Sequence, residues 1–389
     1  MRVALVAYPF LDIPPVGYGG VERVLYNLSS AFRQRDVSFT LFKPGGTLEG
    51  VDCVSYLDQP LVEKYEHFSI DDYHAELEGI IDNIVVGLVG GDYDIINTHF
   101  EDAALVRRLL KLNAPVLVTI HTLPYLTESF AELTSTRHER LHFSGVSPGH
   151  VEQLKAAGGP DTIFTTLNGI DVRSFDASCE RRRFMLYIGD LLPRKAVLSA
   201  CRAVRSAGAS LIVAGKAMPG SDRDYVERLQ QEFFDITVVP DDLDATIKRV
   251  CSSDVDEYTG KIVHVGEVNE GQKRLLLSHA AALLFPSGME DSRWVEPFGL
   301  VVAEALASGT PVASFNRGHF ADILQSASVA CLFEDQSGFV DSIMRLQRFD
   351  DHAACRRFAE EHLTLENMAQ DYLKVYDQIL AGQRSGRHK

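Results

Sequence analysis

Trp294-Val-Glu-Pro-Phe-Gly-Leu-Val-Val-Ala-Glu-Ala-Leu-Ala-Ser-Gly-Thr-Pro-Val312 decides the fold through the order of its residue types. Pro297 has no amide hydrogen to leave unpaired, so it suits the first turn of a helix. Gly309, with Pro311 just beyond, ends that helix. Glu296 then stands just before the helix and Glu304 inside it, with seven residues between them. The amides of Phe298, Gly299 and Leu300 become unpaired donors at a positive helix end, a site suited to anions and above all to phosphate. Gly299 has no side chain to hold a ligand away from the backbone. Glu304 rises among Ala303, Ala305 and Ala307 from an uncrowded face. A carboxylate beside a bound phosphate makes sense when it accepts hydrogen bonds from the hydroxyls of a ribose or sugar diol. A buried amphipathic helix with two surface glutamates would explain the leucines and valines, but not the two carboxylates placed around Pro-Phe-Gly.

Outward from this stretch, strand-like and helix-like patterns alternate. Apolar strands are expected at residues 3–8, 39–42, 94–99, 116–121, 143–146 and 162–167. A second series follows at 184–189, 211–214, 236–239, 262–265, 282–285 and 311–314. Helices are expected over 21–34 and 101–112, and the tail 351–380 is helical in pattern. Fully apolar strands imply burial on both faces, as in parallel sheets between helical layers. The expected fold is α/β, with two doubly wound, Rossmann-like halves. A chain of 389 residues accommodates two such domains, placed at 1–175 and 183–365 with a polar, aperiodic seam at 174–183.

The formal net charge is −16, which argues against a nucleic-acid backbone or an anionic membrane surface as the main partner. Six scattered cysteines without a Cys-x-x-Cys pair point to reduced thiols and a cytoplasmic protein. No apolar run reaches the length of a membrane-spanning helix, so no stable membrane insertion is expected. Met1-Arg-Val-Ala-Leu-Val-Ala7 runs into a Pro-rich loop and is a first strand in pattern, without the cleavage site of a signal peptide. Nothing in the sequence speaks to oligomeric state.

Glu296-Pro-Phe-Gly-Leu-Val-Val-Ala-Glu304 resembles the glutamate-x7-glutamate signature of the family 4 glycosyltransferases, and Ala305-Leu-Ala-Ser-Gly-Thr-Pro-Val312 extends the likeness. The resemblance spans nearly the whole chain. It implies a GT-B fold: two Rossmann-like domains with a cleft between them, and a final helix at about 366–381 crossing back to the first domain. The acceptor would sit mainly in the first domain and the donor in the second. Tyr18-Gly19-Gly20-Val21-Glu22-Arg23 is similar to the family's glycine loop near the donor phosphates, although by itself Gly-Gly is a turn signal. Glu22 fits a helix-start carboxylate as well as a substrate contact. His121 ends a strand at the edge where crevices form, and matches the family histidine close to the sugar's reactive carbon; His99 is a competitor ranked below it. Asn168-Gly-Ile-Asp171 resembles a structural turn before the interdomain linker. Gly189-Asp-Leu-Leu-Pro-Arg-Lys195 matches the loop whose arginine and lysine neutralise the leaving diphosphate. Asp190 stands at the usual arginine position, and Arg194 is the available substitute. A second departure is Gly318-His-Phe-Ala-Asp322, where the family tends to have Pro-Glu for Ala-Asp.

By this resemblance the chain is a retaining glycosyltransferase that moves a hexosyl unit from a nucleotide sugar to a hydroxyl. Glu296 would bind the donor sugar's hydroxyls and Glu304 the ribose. Arg194, Lys195, Pro297 and the amides of Phe298, Gly299, Leu300 and Val301 would hold the diphosphate, with Gly19 and Gly20 nearby. Gly266 and Val268 would meet the nucleobase. Tyr125 and Glu128 are candidate acceptor contacts. The implied co-substrate is a nucleotide sugar, UDP being the family's commonest, and no metal or other cofactor is expected. Asp92-Tyr-Asp94 imitates a metal-binding pair but introduces a strand, and Asp254-Val-Asp256 lies in a polar loop. The first 170 residues hold 12 Lys and Arg against 22 Asp and Glu, a net of −10, so no basic membrane-docking surface is expected there. A soluble small molecule or oligosaccharide is the acceptor that fits, as in members of antibiotic biosynthesis. Two rival readings share the βα pattern. A non-catalytic two-lobed binding protein has no need of Glu296, Glu304 and Lys195 together. A nucleotide-sugar epimerase would release no nucleoside diphosphate.

Overall fold

The computed structural model describes residues 1–17, 19–65, 69–123, 129–177, 184–217, 222–252, 256–325 and 328–386. The chain divides into two compact units. One comprises Met1–Gly169 with Leu365–Lys389, the other Ile170–Thr364.

Among the described residues the first unit holds seven parallel strands: β1 (Arg2–Val6), β2 (Ser38–Pro44), β3 (Asp52–Leu57), β4 (Ile95–Thr98), β5 (Val116–Ile120), β6 (Leu141–Gly145) and β7 (Phe164–Thr165). Their order across the sheet is β3-β2-β1-β4-β5-β6-β7, with Val3 opposite Phe39 on one side and Ile95 on the other. Val3 to Val6 and Val116 to Val118 are wholly buried, as helices on both faces require. β1 stops at Val6, short of the expected Tyr8. β3 was missing from the expected set. Its Asp52-Cys-Val-Ser-Tyr-Leu57 has only Tyr56 buried, because an edge strand needs no continuous apolar run. The helix expected over 101–112 spans only Ala103–Leu109. The Asp102 side chain accepts the Leu105 amide hydrogen as its cap, leaving Glu101 outside the helix.

The second unit holds β8 (Phe184–Ile188), β9 (Leu211–Ala214), β10 (Ile236–Thr237), β11 (Ile262–Gly266), β12 (Ala280–Phe285), β13 (Val312–Phe315) and β14 (Ala330–Phe333), in the order β10-β11-β9-β8-β12-β13-β14. β14 was also not anticipated: it is four residues long, and only Cys331 and Phe333 are buried.

The helical tail is two helices, His352–His362 and Leu365–Gly386, and the second packs in the first unit. Met368, Ala369, Tyr372 and Tyr376 on it are wholly buried. Tyr376 Oη donates to Asn97 Oδ1 at 2.7 Å, and Asn97 Nδ2 donates to Thr119 Oγ1 at 2.9 Å. Ser144 Oγ continues the chain to Thr119 at 3.0 Å, and Thr166 Oγ1 to Ser144 at 3.2 Å. A polar seam across β4, β5 and β6 thus fixes where the helix lies, because each buried hydroxyl needs a partner.

Where strand order reverses in a parallel sheet, the loops after the two central strands diverge and open a crevice at the carboxyl edge. The reversal falls between β1 and β4 in the first unit and between β8 and β12 in the second. Among the described residues no helix is long and apolar enough to cross a membrane.

Candidate functional site

In the second unit, the loops after β8 and β12 bring distant residues together. Lys195 Nζ lies 2.6 Å from Glu296 Oε2. Ser287 Oγ donates to the same oxygen at 2.8 Å, and Trp294 Nε1 donates to Ser287 Oγ at 2.8 Å and to Glu296 Oε2 at 3.3 Å. The Gly288 amide donates to the Arg194 carbonyl at 2.8 Å and ties the two loops at their backbones. Burial works to raise the Glu296 carboxyl pKa, but the Lys195 charge and the hydrogen bonds from Lys195, Ser287 and Trp294 outweigh it and hold it below the usual range. Glu296 is therefore ionised at neutral pH.

The helix that follows begins later than the sequence implied. It spans Leu300–Ala307, and Gly299 is its N-cap in the left-handed region, φ 94°. Pro297 and Phe298 are buried outside it, Phe298 stacked on His319 with ring centroids 5.1 Å apart. The Val302 amide bonds the Gly299 carbonyl at 3.0 Å. The first-turn donors are those of Leu300 and Val301, and among the described residues no backbone acceptor pairs with them or with the amides of Phe298 and Gly299 before them. Gly299 is required by conformation and by space: a Cβ there would sit 2.8 Å from the Phe285 ring.

Glu304, expected on an uncrowded helix face, is closely packed. It is buried, and Lys273 Nζ lies 2.7 Å from its Oε1 and 2.8 Å from Glu270 Oε1. Burial pulls the Lys273 pKa down, but Glu304 and Glu270 outweigh it and raise it above the usual value. Lys273 escaped the sequence reading because nothing in a helix opening with the Asn269–Gln272 capping box announces a partner 31 residues on. Gly266 ends β11 at φ 74°, its carbonyl accepting the Gly215 amide at 2.8 Å. Val268 is half-buried just before that capping box. Asp190 is buried, and burial raises its carboxyl pKa against the opposing pull of Lys195 and Arg194. Ala196, directly after Lys195, takes a left-handed conformation at φ 57° that ordinarily falls to glycine.

In the first unit, His121 follows β5 and pairs with His99 from the end of β4, His99 Nδ1 to His121 Nε2 at 2.8 Å. The two histidines weighed as competitors are thus one hydrogen-bonded pair, and a single proton lies between the facing nitrogens. Burial lowers the His121 pKa far below the usual histidine value, with His99 and then His150 adding to it. Burial alone takes His99 down to about 3. Both rings are neutral at pH 7. Glu101, not singled out from the sequence, accepts the His121 amide hydrogen at 2.6 Å and the Thr122 hydroxyl hydrogen at 2.6 Å. The stronger capping residue Asp102 beside it was the signal that Glu101 is free of the helix. Gly19 caps the helix Gly20–Gln34 at φ 150°, and a Cβ there would meet the Pro15 ring at 2.6 Å; Gly20 faces open space. Glu22 is buried, and burial pushes its pKa up to about 7. Tyr18, Tyr125 and Glu128 lie outside the described residues.

No curated protein matches the sequence. Solved structures similar over nearly the whole chain include AviGT4, a glycosyltransferase involved in avilamycin A biosynthesis (21% identity, 98% of each chain, TM-score 0.67). Sucrose-phosphate synthase from Thermosynechococcus elongatus is similar at 17% identity, covering 98% of this chain and 99% of its own, with a TM-score of 0.71. HepE from Anabaena in complex with UDP is similar at 15% identity, 97% and 100% coverage and a TM-score of 0.69. The model of the family described as Glycosyltransferase Family 4 matches residues 18–174, and that of the glycosyl transferases group 1 matches residues 248–361. With one match in each unit, two parallel sheets of GT-B type and the Glu296–Glu304 signature, the chain belongs to glycosyltransferase family 4.

Proposed function

We propose that this glycosyltransferase moves a hexosyl unit from a UDP-sugar to a hydroxyl of a soluble small-molecule or oligosaccharide acceptor, with retention of anomeric configuration and without a metal. The observation that carries the reading is the cluster at the β8/β12 switch point. There Lys195, Glu296, Ser287 and Trp294 are hydrogen-bonded together, ahead of a helix whose Leu300 and Val301 amides have no backbone partner among the described residues.

In the step we infer, the bond from the anomeric carbon to the phosphate oxygen breaks. A bond from that carbon to the acceptor oxygen forms on the same face, and the acceptor proton passes to the departing diphosphate. The protein's task is orientation and stabilisation of charge. Negative charge on the leaving diphosphate meets Arg194, Lys195 and these two amides. Glu296, ionised and therefore purely an acceptor, takes hydrogen bonds from the sugar's hydroxyls. Lys273 occupies Glu304 Oε1 and leaves Oε2 for the ribose diol. Gly266 and Val268 are assigned to the base, Gly19 and Gly20 to the donor phosphates. His121, neutral, serves as a hydrogen-bonding group near the reacting carbon and not as a cationic acid. Tyr125 and Glu128 remain the proposed acceptor contacts.

HepE, described in complex with UDP, supports uridine as the base. AviGT4, described as involved in avilamycin A biosynthesis, supports a small-molecule acceptor, as does the net charge of −10 in the first 170 residues. The test is a panel of UDP-, GDP-, ADP- and TDP-sugars with soluble acceptors, following nucleoside diphosphate release and the anomeric configuration of the product. UDP release with retention is expected. Inverted product, or turnover only with a membrane lipid as acceptor, would overturn the reading.

A further inference from the structure

We propose that Trp294 is a positioning residue that holds Arg194 and Lys195 ready for a diphosphate. The inference rests on the donor assignment just made. Trp294 is the chain's sole tryptophan, and it is buried. The Arg194 guanidinium carbon and Lys195 Nζ each lie 4.8 Å from its ring centroid. Two adjacent cations repel each other, and their long side chains would otherwise swing into water. The electron-rich indole face attracts both. Its polar edge is fixed in turn, Nε1 donating to Ser287 Oγ at 2.8 Å and to Glu296 Oε2 at 3.3 Å. One side chain thus sets the orientation of the carboxylate and of both cations.

A ring does this in a way that a carboxylate cannot. An acidic partner would neutralise the cations and compete with the phosphates. The ring orders Arg194 and leaves its charge available, whereas Lys195 is also paired with Glu296. Arg194 fits this role: among the described residues no carboxylate lies within ion-pair distance of it, and its buried Nε has no partner. Such a group is poised for an anion, and a guanidinium matches phosphate oxygens in a bidentate manner.

The experiment compares UDP and uridine binding by ligand-observed NMR for the wild type, Trp294→Phe and Trp294→Leu. Trp294→Leu removes the ring, and UDP should bind at least tenfold more weakly. Trp294→Phe keeps a ring without Nε1–H and should fall between the two. Uridine, which carries no phosphate, should bind all three alike, which also shows that the unit is folded. UDP affinity unchanged in both variants would overturn the proposal, and so would an equal loss of UDP and uridine, since that marks a general collapse. A wild type that does not prefer UDP over uridine would instead refute the donor assignment beneath it.

Discussion

Gly299 shows how much of the donor half-site depends on one residue without a side chain. Its φ of 94° costs an ordinary residue about 1–2 kcal/mol, and the Phe285 ring 2.8 Å from a would-be Cβ adds a clash with a buried aromatic. Gly299→Ala should destabilise the second unit by roughly 2–3 kcal/mol. Chemical denaturation checks this, and an unchanged midpoint would show that the loop relaxes freely. At His121 the prediction concerns protons. Because burial, His99 and His150 keep its pKa well below the usual value of 6.5, kcat/KM should show no histidine inflection between pH 6 and 7. A pH profile with an inflection near 6.5 that disappears in His121→Gln would contradict the neutral-ring account. Glu296, Glu304, Lys195 and His121, proposed as site residues, stand out in sequence because each belongs to a motif or ends an apolar strand. Lys273, Glu101 and the His99 pairing do not, since their meaning comes only from chain segments that folding brings beside them.

At the scale of elements, the central strands were easy to read and the edges were not. β1, β4, β5, β8, β9, β12 and β13 are buried on both faces and carry the apolar runs that reveal them, whereas β3 and β14 end their sheets: β3 is interrupted by polar residues, and β14, although apolar over Val329-Ala-Cys-Leu-Phe333, is only four residues long. Helix starts were misplaced for a local reason. Pro297 marks a helix start in the abstract, yet the left-handed Gly299 turn delays the helix to Leu300. The last helix was recognised from pattern, but the polar seam that seats it was not. Tyr376→Phe tests that seam. It leaves Asn97 Oδ1 without its 2.7 Å donor in a wholly buried setting, at a cost of about 1–3 kcal/mol. Thermal denaturation should report it, and a neutral outcome would mean that apolar packing alone seats the helix.

Over the whole molecule, buried titratable groups set how stability responds to pH. His99, His150 and His319 have folded pKa values of about 3, 4 and 4, each lowered chiefly by burial. Below pH 6.5 the unfolded chain takes up protons that these folded histidines refuse, so stability falls on acidification, by up to about 1.4 kcal/mol per histidine per pH unit. Glu22 acts in the opposite sense. Its folded pKa of about 7 against 4.5 means that the folded state holds the extra proton between those values, and stability falls as pH rises through that window. His121, His142 and His264 are lowered by burial as well, and Glu101, Asp190 and Asp371 are raised like Glu22, so six histidines oppose four carboxyls and the melting temperature should drop between pH 6.5 and 5, and drop more steeply in Glu22→Gln. A flat profile would contradict the burial of these groups.

The central claim is that the second unit binds a nucleoside diphosphate through Lys195, Glu304 and the amides at Leu300 and Val301. Calorimetric titration of UDP into the wild type, Lys195→Met, Glu304→Ala and His121→Ala tests it most directly. The account predicts one saturable site in the wild type, UDP binding weakened at least tenfold in Lys195→Met and Glu304→Ala, and no change in His121→Ala. Undiminished UDP binding in Lys195→Met and Glu304→Ala, or none in the wild type, would contradict it.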